Sequence, residues 1–282
     1  MKPLAPHQIE LMLSHGFKHA THNNQTVRAA KSIFAEVRST YGFKSGGTLL
    51  STSISKLQKN KQATAGLSFP PALSSGLANL CAFSDSCAET CVAFSGNGGF
   101  TQTQQSRKAK LEFALKFPEA FAVLLTHEIA QMQKKYAGHK IAIRLNTYSD
   151  IRWERVAPQL FTQFPRVKFY DYTKHTMRSR PAETMPKNYS LTYSVSEKTT
   201  AHEIGVAKEA GRNLAVVVAI RSGKTPQGYR KIPKTWGGMP TTDGDIRDDR
   251  HNDKKGTVVI LRRKHTMKPW HPMIQQGGKL DR

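Results

Sequence analysis

The sequence predicts an α/β protein arranged as a complete or irregular (β/α) barrel, with an open doubly wound sheet as the alternative. Three observations predict it. Short β-branched runs alternate with helical apolar stripes from residue 119 onward, the pattern of βαβ units and a parallel sheet. A chain of 282 residues has room for roughly eight such units around one core. No Gly-x-Gly-x-x-Gly follows a strand and no Walker A run is present, so a nucleotide cofactor is not expected.

Residues 1–45 are rich in His, Asn and Lys and read as a basic N-terminal extension. Residues 46–282 read as one barrel-like catalytic domain. Inside the extension, Val27, Ala30, Ile33, Phe34 and Val37 recur at helical spacing. Residues 42–47 form a glycine-bearing loop, and a polar stretch over 51–62 is closed by Phe69-Pro70-Pro71. The cysteine region follows, then the loop Gly96-Asn97-Gly98-Gly99.

Periodicity then becomes clear. Phe121, Leu124, Leu125, Glu128, Ile129, Met132 and Tyr136 make one helical stripe, and residues 140–145 alternate as a strand. Trp153, Val156, Ala157, Leu160, Phe161 and Phe164 make a second stripe. Strands are expected at 167–172, 189–195, 214–220 and 257–261, with a helix at 201–210.

Lys plus Arg number 43 against 20 Asp plus Glu, a net charge of +23, and the sequence pI is about 10.1. So large an excess attracts polyanions, above all nucleic acid. No long basic amphipathic helix suggests a membrane surface. No run approaches the roughly 20 apolar residues of a membrane span, and the start of the chain lacks a signal-peptide core. A cytoplasmic monomer is expected. In that reducing compartment the chain's three cysteines, Cys81, Cys87 and Cys91, point to metal rather than to disulfides. Three thiolates with a histidine, His127 or His139, make a tetrahedral zinc site; three thiolates alone suit an iron–sulfur cluster with an open iron. The plain alternative is three small buried side chains around a helix.

In parallel α/β folds, ligands meet the carboxyl ends of the strands. Three clusters there carry chemistry. Arg144, Asn146 and Asp150 end the first clear strand, Asp171 and Lys174 end the next, and Asp243, Asp245, Arg247, Asp248, Asp249 and Arg250 precede the last. Asp150 can instead cap a helix starting at Ile151 or Arg152. Asp171 must face away from Tyr170, because neighbours alternate along a strand. Four aspartates between 243 and 249 can hold a divalent cation, or form a solvated turn paired with Arg247 and Arg250.

The Cys81–Cys91 spacing, the strand Arg144–Asp150, the segment Tyr170–Lys174, and the run Asp243-Gly244-Asp245, Asp248, Arg250 leading to a Gly-x-Val-Val strand together resemble a family of phage-borne proteins, the gene-product-eighty-eight type. The family's third cysteine is often followed by Tyr-Ala; here Val92-Ala93 stands in that place. The resemblance covers about residues 45–265 and implies an α/β barrel-like fold and a phage-related setting. More loosely, barrel plus cysteines is similar to base transglycosylases acting on tRNA or phage DNA, and to phage-defence DNA glycosylases. The transglycosylases use an Asp against the sugar carbon and a three-Cys, one-His zinc site.

The function expected is therefore an enzyme, a DNA glycosylase or base transglycosylase, on double-stranded DNA carrying modified bases. A base is flipped out and its N-glycosidic bond is cut. Asp150, Asp171, Asp245 and Asp248 are the candidate carboxylates, with Asn146 and Lys174 assisting; attack by Lys174 as an amine adds a lyase cut. Arg144, Arg247, Arg250, Lys254, Lys255, Arg262, Arg263 and Lys264 are the candidate phosphate contacts, and Trp236 and Trp270 the stacking residues. A metal-dependent nuclease, an iron–sulfur redox enzyme and a non-catalytic DNA- or RNA-binding protein are the alternatives.

Overall fold

The computed structural model describes residues 2–54, 57–60, 62–221, 224–225, 228–229, 231–264 and 267–275. Helices α1 (Pro6–His19) and α2 (Asn24–Ser39) come first. Strands β1 (Leu50–Ser51) and β2 (Ala63–Leu67) follow, then α3 (Thr101–Lys116) and α4 (Pro118–Lys135). Strand β3 (Ile141–Arg144), α5 (Trp153–Val156), α6 (Pro158–Gln163) and β4 (Lys168–Thr173) make the next unit. It is succeeded by β5 (Tyr189–Ser194), α7 (Ala201–Glu209) and β6 (Leu214–Arg221). A short hairpin, β7 (Lys224–Thr225) and β8 (Gly228–Tyr229), leads to β9 (Thr235–Trp236), β10 (Met239–Asp243) and β11 (Val258–Arg263).

Among these residues one sheet has nine strands in the order β1-β2-β3-β4-β5-β6-β11-β10-β9. The run from β2 to β10 pairs in parallel throughout, and only the edge strands β1 and β9 are antiparallel. The fold is thus mixed α/β with a largely parallel sheet, as the alternation of elements predicts.

The helices form because their ends are satisfied and one face is apolar. Pro6 starts α1, where no intrahelical N–H is needed, and the Gln8 side chain accepts from Ala5 N at 2.8 Å. Asn23 accepts from Thr26 N at 2.9 Å to cap α2, and Thr200 with Glu203 does the same for α7. From the stretch set apart as an extension, Ile9, Leu13, Phe17, Ala30, Phe34 and Val37 enter the main buried cluster beside Phe113, Phe121 and Leu124. Each of these side chains larger than alanine contributes about 1.5–3 kcal/mol by leaving water. Gly16 lets α1 approach α4 closely, because a Cβ there meets the backbone of Pro118. The single stripe expected from Trp153 to Phe164 is instead two short helices. Pro158 has no N–H to continue α5, so it opens α6. Among the described residues no helix is long and apolar enough to cross a membrane.

Candidate functional site

The loop after β3 is shaped by Asn146. Its Oδ1 accepts from Ser149 Oγ (2.9 Å), Ile151 N (3.0 Å) and Trp153 Nε1 (3.2 Å), and its Nδ2 donates to Ile151 O at 2.9 Å. Asn146 is itself held by Asp171, whose Oδ1 accepts from Asn146 N at 2.8 Å and whose Oδ2 accepts from Nδ2 at 3.2 Å. Tyr189 OH donates to the same carboxylate at 2.8 Å. Asp171 is fully buried and points toward the helices, opposite to Tyr170, as strand alternation requires. Burial raises its carboxyl to about 7 despite Arg144 and these donors. Its oxygens are thus occupied in joining β3, β4 and β5.

Asp150 follows the same loop, and it does not cap a helix. Arg152 is the N-cap residue of α5, without a side-chain cap. Asp150 Oδ2 instead accepts from the backbone N of Lys174 at 2.7 Å, and Oδ1 from Arg180 Nη1 at 3.2 Å. Arg180 is wholly buried and also bonds both carboxylate oxygens of Glu154, at 2.9 and 2.6 Å, and Tyr189 OH at 3.2 Å. The Lys174 main chain is therefore placed by charge-assisted bonds at the carboxyl end of β4. Its Nζ is buried and makes no hydrogen bond among the described residues.

Over this strand end lies the cysteine loop. The Cys81 thiol donates to Tyr148 O and accepts from Ala72 N, both at 3.4 Å. Ser86 N donates to Glu197 Oε1 at 3.1 Å, and Lys198 Nζ meets Asp85 at 2.7 Å, which ties the loop to the residues after β5. On its other side Arg107 donates to Ala93 O at 2.7 Å and lies 4.3 Å from the Tyr148 ring centroid. All three cysteines are free. Each lies within electrostatic reach of the others, and Lys174 reaches Cys87 and Cys91. Burial pushes the Cys81 thiol up to about 12 and Cys91 to about 11, with Cys87 shifted the same way. Among the described residues no three His, Cys, Asp or Glu side chains converge on one metal ion. His127 lies in α4 facing Lys31, and His139 is exposed just before β3, at the amino end of the sheet. The cysteine loop is at the opposite end.

The aspartate run is a set of ion pairs. Arg262 binds Asp243 at 2.6 Å and Asp245 at 3.2 Å, with Lys264 3.4 Å from Asp245. Arg144 binds Asp248 at 2.8 Å and lies 4.8 Å from the Tyr172 ring centroid. Arg247 meets Asp249 (3.3 Å) and Asp253 (3.1 Å), and Arg250 meets Asp253 (3.1 Å). Asp248 N donates to Asn60 Oδ1 at 2.9 Å, so this segment crosses back from β10 to β2 and β3. These four arginines neutralise the run, which leaves little for a cation to bind.

The nucleic-acid candidates accordingly separate. Arg144, Arg250 and Arg262 are buried in those pairs and present no face to phosphate, while Trp236 is buried against Val216 and Met239 rather than free to stack. Lys254 and Lys255 are exposed, but just before β11 and so at the amino ends of the strands. Arg263 and Lys264 end β11 on the cysteine side; Arg263 donates to Ala219 O and Met267 O. Trp270 is 75% exposed, next to His271, which contacts Thr90 at 3.4 Å.

A small open cleft of about 90 Å³ lies between the loop and the ends of β4 and β5. Phe83, Lys174, His175, Ser196 and Lys198 are among its walls. Phe83 sits edge-on to His175 at 4.9 Å, and Phe94 and Phe100 are exposed nearby in the sequence. Sequence reasoning picked out His175 with Lys174 at the end of β4 but missed Phe83, Lys198 and Arg180. Phe83 and Phe94 flank the cysteines, which is a readable signal; nothing local marks Arg180.

Fold and site together define an α/β protein with a cysteine-bearing loop at the carboxyl mouth of a largely parallel sheet. The chain belongs to the gene product 88 family, whose model matches residues 42–277. No curated protein and no solved structure matches it.

Proposed function

We propose that the chain is a nucleic-acid-acting enzyme that takes a base out of double-stranded DNA and breaks its N-glycosidic bond at the carboxyl ends of β4 and β5. Lys174 carries this reading. A buried polar atom without a hydrogen-bond partner is uncommon, and among the described residues the Lys174 amine is one, on a residue that lines a cleft at the strand mouth.

As a nucleophile, Nζ forms a bond to C1′ while the C1′–N bond to the base breaks. The base leaves with the bonding electrons and takes up the proton the amine gives away. Ring opening then yields an imine, from which loss of the 3′ phosphate cuts the strand. Asp150 acts as a positioning residue through the Lys174 main chain. Phe83 and His175 offer faces for an unstacked base. Lys264, Lys268 and Trp270 supply phosphate and stacking contacts, in a chain of net charge +23. In this reading the sheet curls into an irregular barrel around the segment after β10, supported by the bonds from Asp248 to Arg144 and Asn60.

The test is incubation with normal and base-modified phage DNA in the presence of borohydride, which reduces an imine to a stable amine. The expected result is a covalent protein–DNA adduct at Lys174 and a released base, both absent in Lys174→Ala. Abasic sites formed equally by Lys174→Ala, or no adduct on any DNA, overturn the proposal.

A further inference from the structure

We infer that the rim of the cysteine loop, residues 83–100 with Trp270 beside them, is a binding surface for an unpaired stretch of DNA strand, whose bases it takes by stacking.

Soluble surfaces seldom gather large apolar side chains in one place. Phe83, Val92, Phe94 and Phe100 are nonetheless all exposed on this one loop, Phe100 by 63%. Exposed Trp270 is brought to the same loop, because His271 contacts Thr90 at 3.4 Å and Met267, Met273 and Ile274 pack with Cys87. Gly98 and Gly99 fold the loop back on itself. A Cβ at Gly99 would come within 2.9 Å of Phe94 O, and one at Gly98 would meet Ala93 O. Buried Arg107 holds this turn, donating to Ala93 O at 2.7 Å and to Gly98 O at 3.3 Å. The backbones that carry Phe94 and Phe100 are thus fixed side by side before a ligand arrives, which lowers the ordering cost of binding.

Charge points to the occupant. The chain has 43 Lys and Arg and a net charge of +23, which draws in a polyanion. Residues 81–100 nevertheless include no Lys or Arg, and of their carboxylates Asp85 is paired with Lys198 at 2.7 Å while Glu89 is exposed. The rim therefore offers rings rather than cations, with exposed Lys268 two residues before Trp270 for phosphate. A paired duplex turns its phosphates outward and keeps its base faces stacked, so bare rings gain little from it. An unpaired strand exposes those faces, and every base has one to stack on an aromatic side chain. Phe83 also lines the cleft at Lys174, so a strand laid along the loop continues into that cleft.

Stacking on unpaired bases goes beyond the glycosidic reading and needs no reaction at Lys174; only the choice of DNA over RNA rests on that reading. The full chain is titrated by fluorescence anisotropy at physiological salt with labelled DNA probes of one sequence: a single strand, a paired duplex, and that duplex with a central mismatched bubble. Single strand and bubble are expected to bind roughly tenfold tighter than the paired duplex, an effect within the worth of one stacked base. Phe94→Ala and Phe100→Ala should each weaken single-strand binding about fivefold to a hundredfold, closing the gap to the duplex. Phe100→Tyr, which keeps a ring, should bind as wild type, whereas Phe100→Leu, which keeps only apolar bulk, should bind like the alanine variant. Duplex bound as tightly as single strand, single-strand binding untouched by both alanine variants, or a loss that Phe100→Leu does not share overturns the inference. An RNA strand bound tighter than the DNA strand overturns it as well. So does adhesion to phosphatidylserine vesicles that both alanine variants lose while single-strand binding persists. Binding is read without borohydride, so this surface and the Lys174 adduct can each fail without the other.

Discussion

Asp150 accepts the backbone N–H of Lys174 at 2.7 Å, so the residue that closes the loop after β3 sets where the side chain at the end of β4 begins. The bond links the ends of two strands of the sheet and is partly buried, which makes it stronger than a fully exposed equivalent. Asp150→Ala is expected to lower adduct formation about tenfold, the cost of roughly 1.4 kcal/mol in positioning. DNA retardation should stay unchanged. Equal loss of retention and product shows that Asp150 serves the fold as a whole rather than Lys174.

Arg144 and Asp248 form a buried pair 2.8 Å apart. Removing one partner leaves an uncompensated charge, so Arg144→Met should cost about 3–5 kcal/mol in urea unfolding. The salt dependence of DNA binding should not move in the surviving folded protein. Lys264→Gln and Lys268→Gln are expected to do the reverse, each lowering the salt slope by about one with little change in stability.

Asp171 gives a pH signature. Burial raises its folded value to about 7, well above the ordinary aspartate range. Between the ordinary aspartate range and 7 the folded state holds the proton more tightly than the unfolded state, so this group's contribution to stability falls as pH rises toward 7. His251 acts in the opposite sense. Burial lowers its value to about 4, so its contribution is lost as pH falls below the usual histidine range. The difference between wild type and Asp171→Asn isolates the first effect. Denaturant midpoints at pH 5, 6, 7 and 8 should show the variant losing the component that declines toward pH 7. A difference that is flat across this range refutes the assignment.

Two tryptophans divide by burial. Trp270→Ala should weaken DNA binding by about 1–3 kcal/mol, the worth of one stacked base, without changing unfolding. Trp236→Ala should cost about 3–5 kcal/mol of stability, because Trp236 lies in a packed cluster with Met239 and Val216. Titration by fluorescence anisotropy alongside urea unfolding reads both.

Gly244 turns the chain out of β10 where a Cβ would come within 2.6 Å of Val259 and 2.7 Å of Leu261. Gly244→Ala is expected to destabilise by about 1–3 kcal/mol through overpacking, measured as a lower thermal midpoint.

Much of the fold was legible in single segments. The stripe from Phe121 to Tyr136 becomes α4, and the β-branched runs around Ile141, Val216 and Val259 become parallel strands. Helix α3 escaped notice because its buried face includes Arg107 and Lys110, charged residues that periodicity counts as exposed. Lys110 reaches Leu49 O at 2.7 Å, and burial lowers it to about 8. Strand β2 escaped because Ala63-Thr64-Ala65-Gly66-Leu67 is small and weakly β-forming. Gly66 is required there, since a Cβ would come within 2.7 Å of Thr147.

Of the site, the sequence by itself determined which chemistry is present: a tight group of thiols, a basic surface, and polar residues just past strand ends. Such features depend on residue type and short spacing, which a linear chain displays directly. Only the tertiary structure decided which of those groups are spent on one another. Asp171 is consumed by Asn146 and Tyr189, and Asp248 by Arg144 more than a hundred residues away. Among the described residues, Lys174 is the one proposed reacting group left with a buried side-chain atom that makes no hydrogen bond. Pairing of buried charges is a matter of three-dimensional distance and desolvation, and neither is written in local sequence.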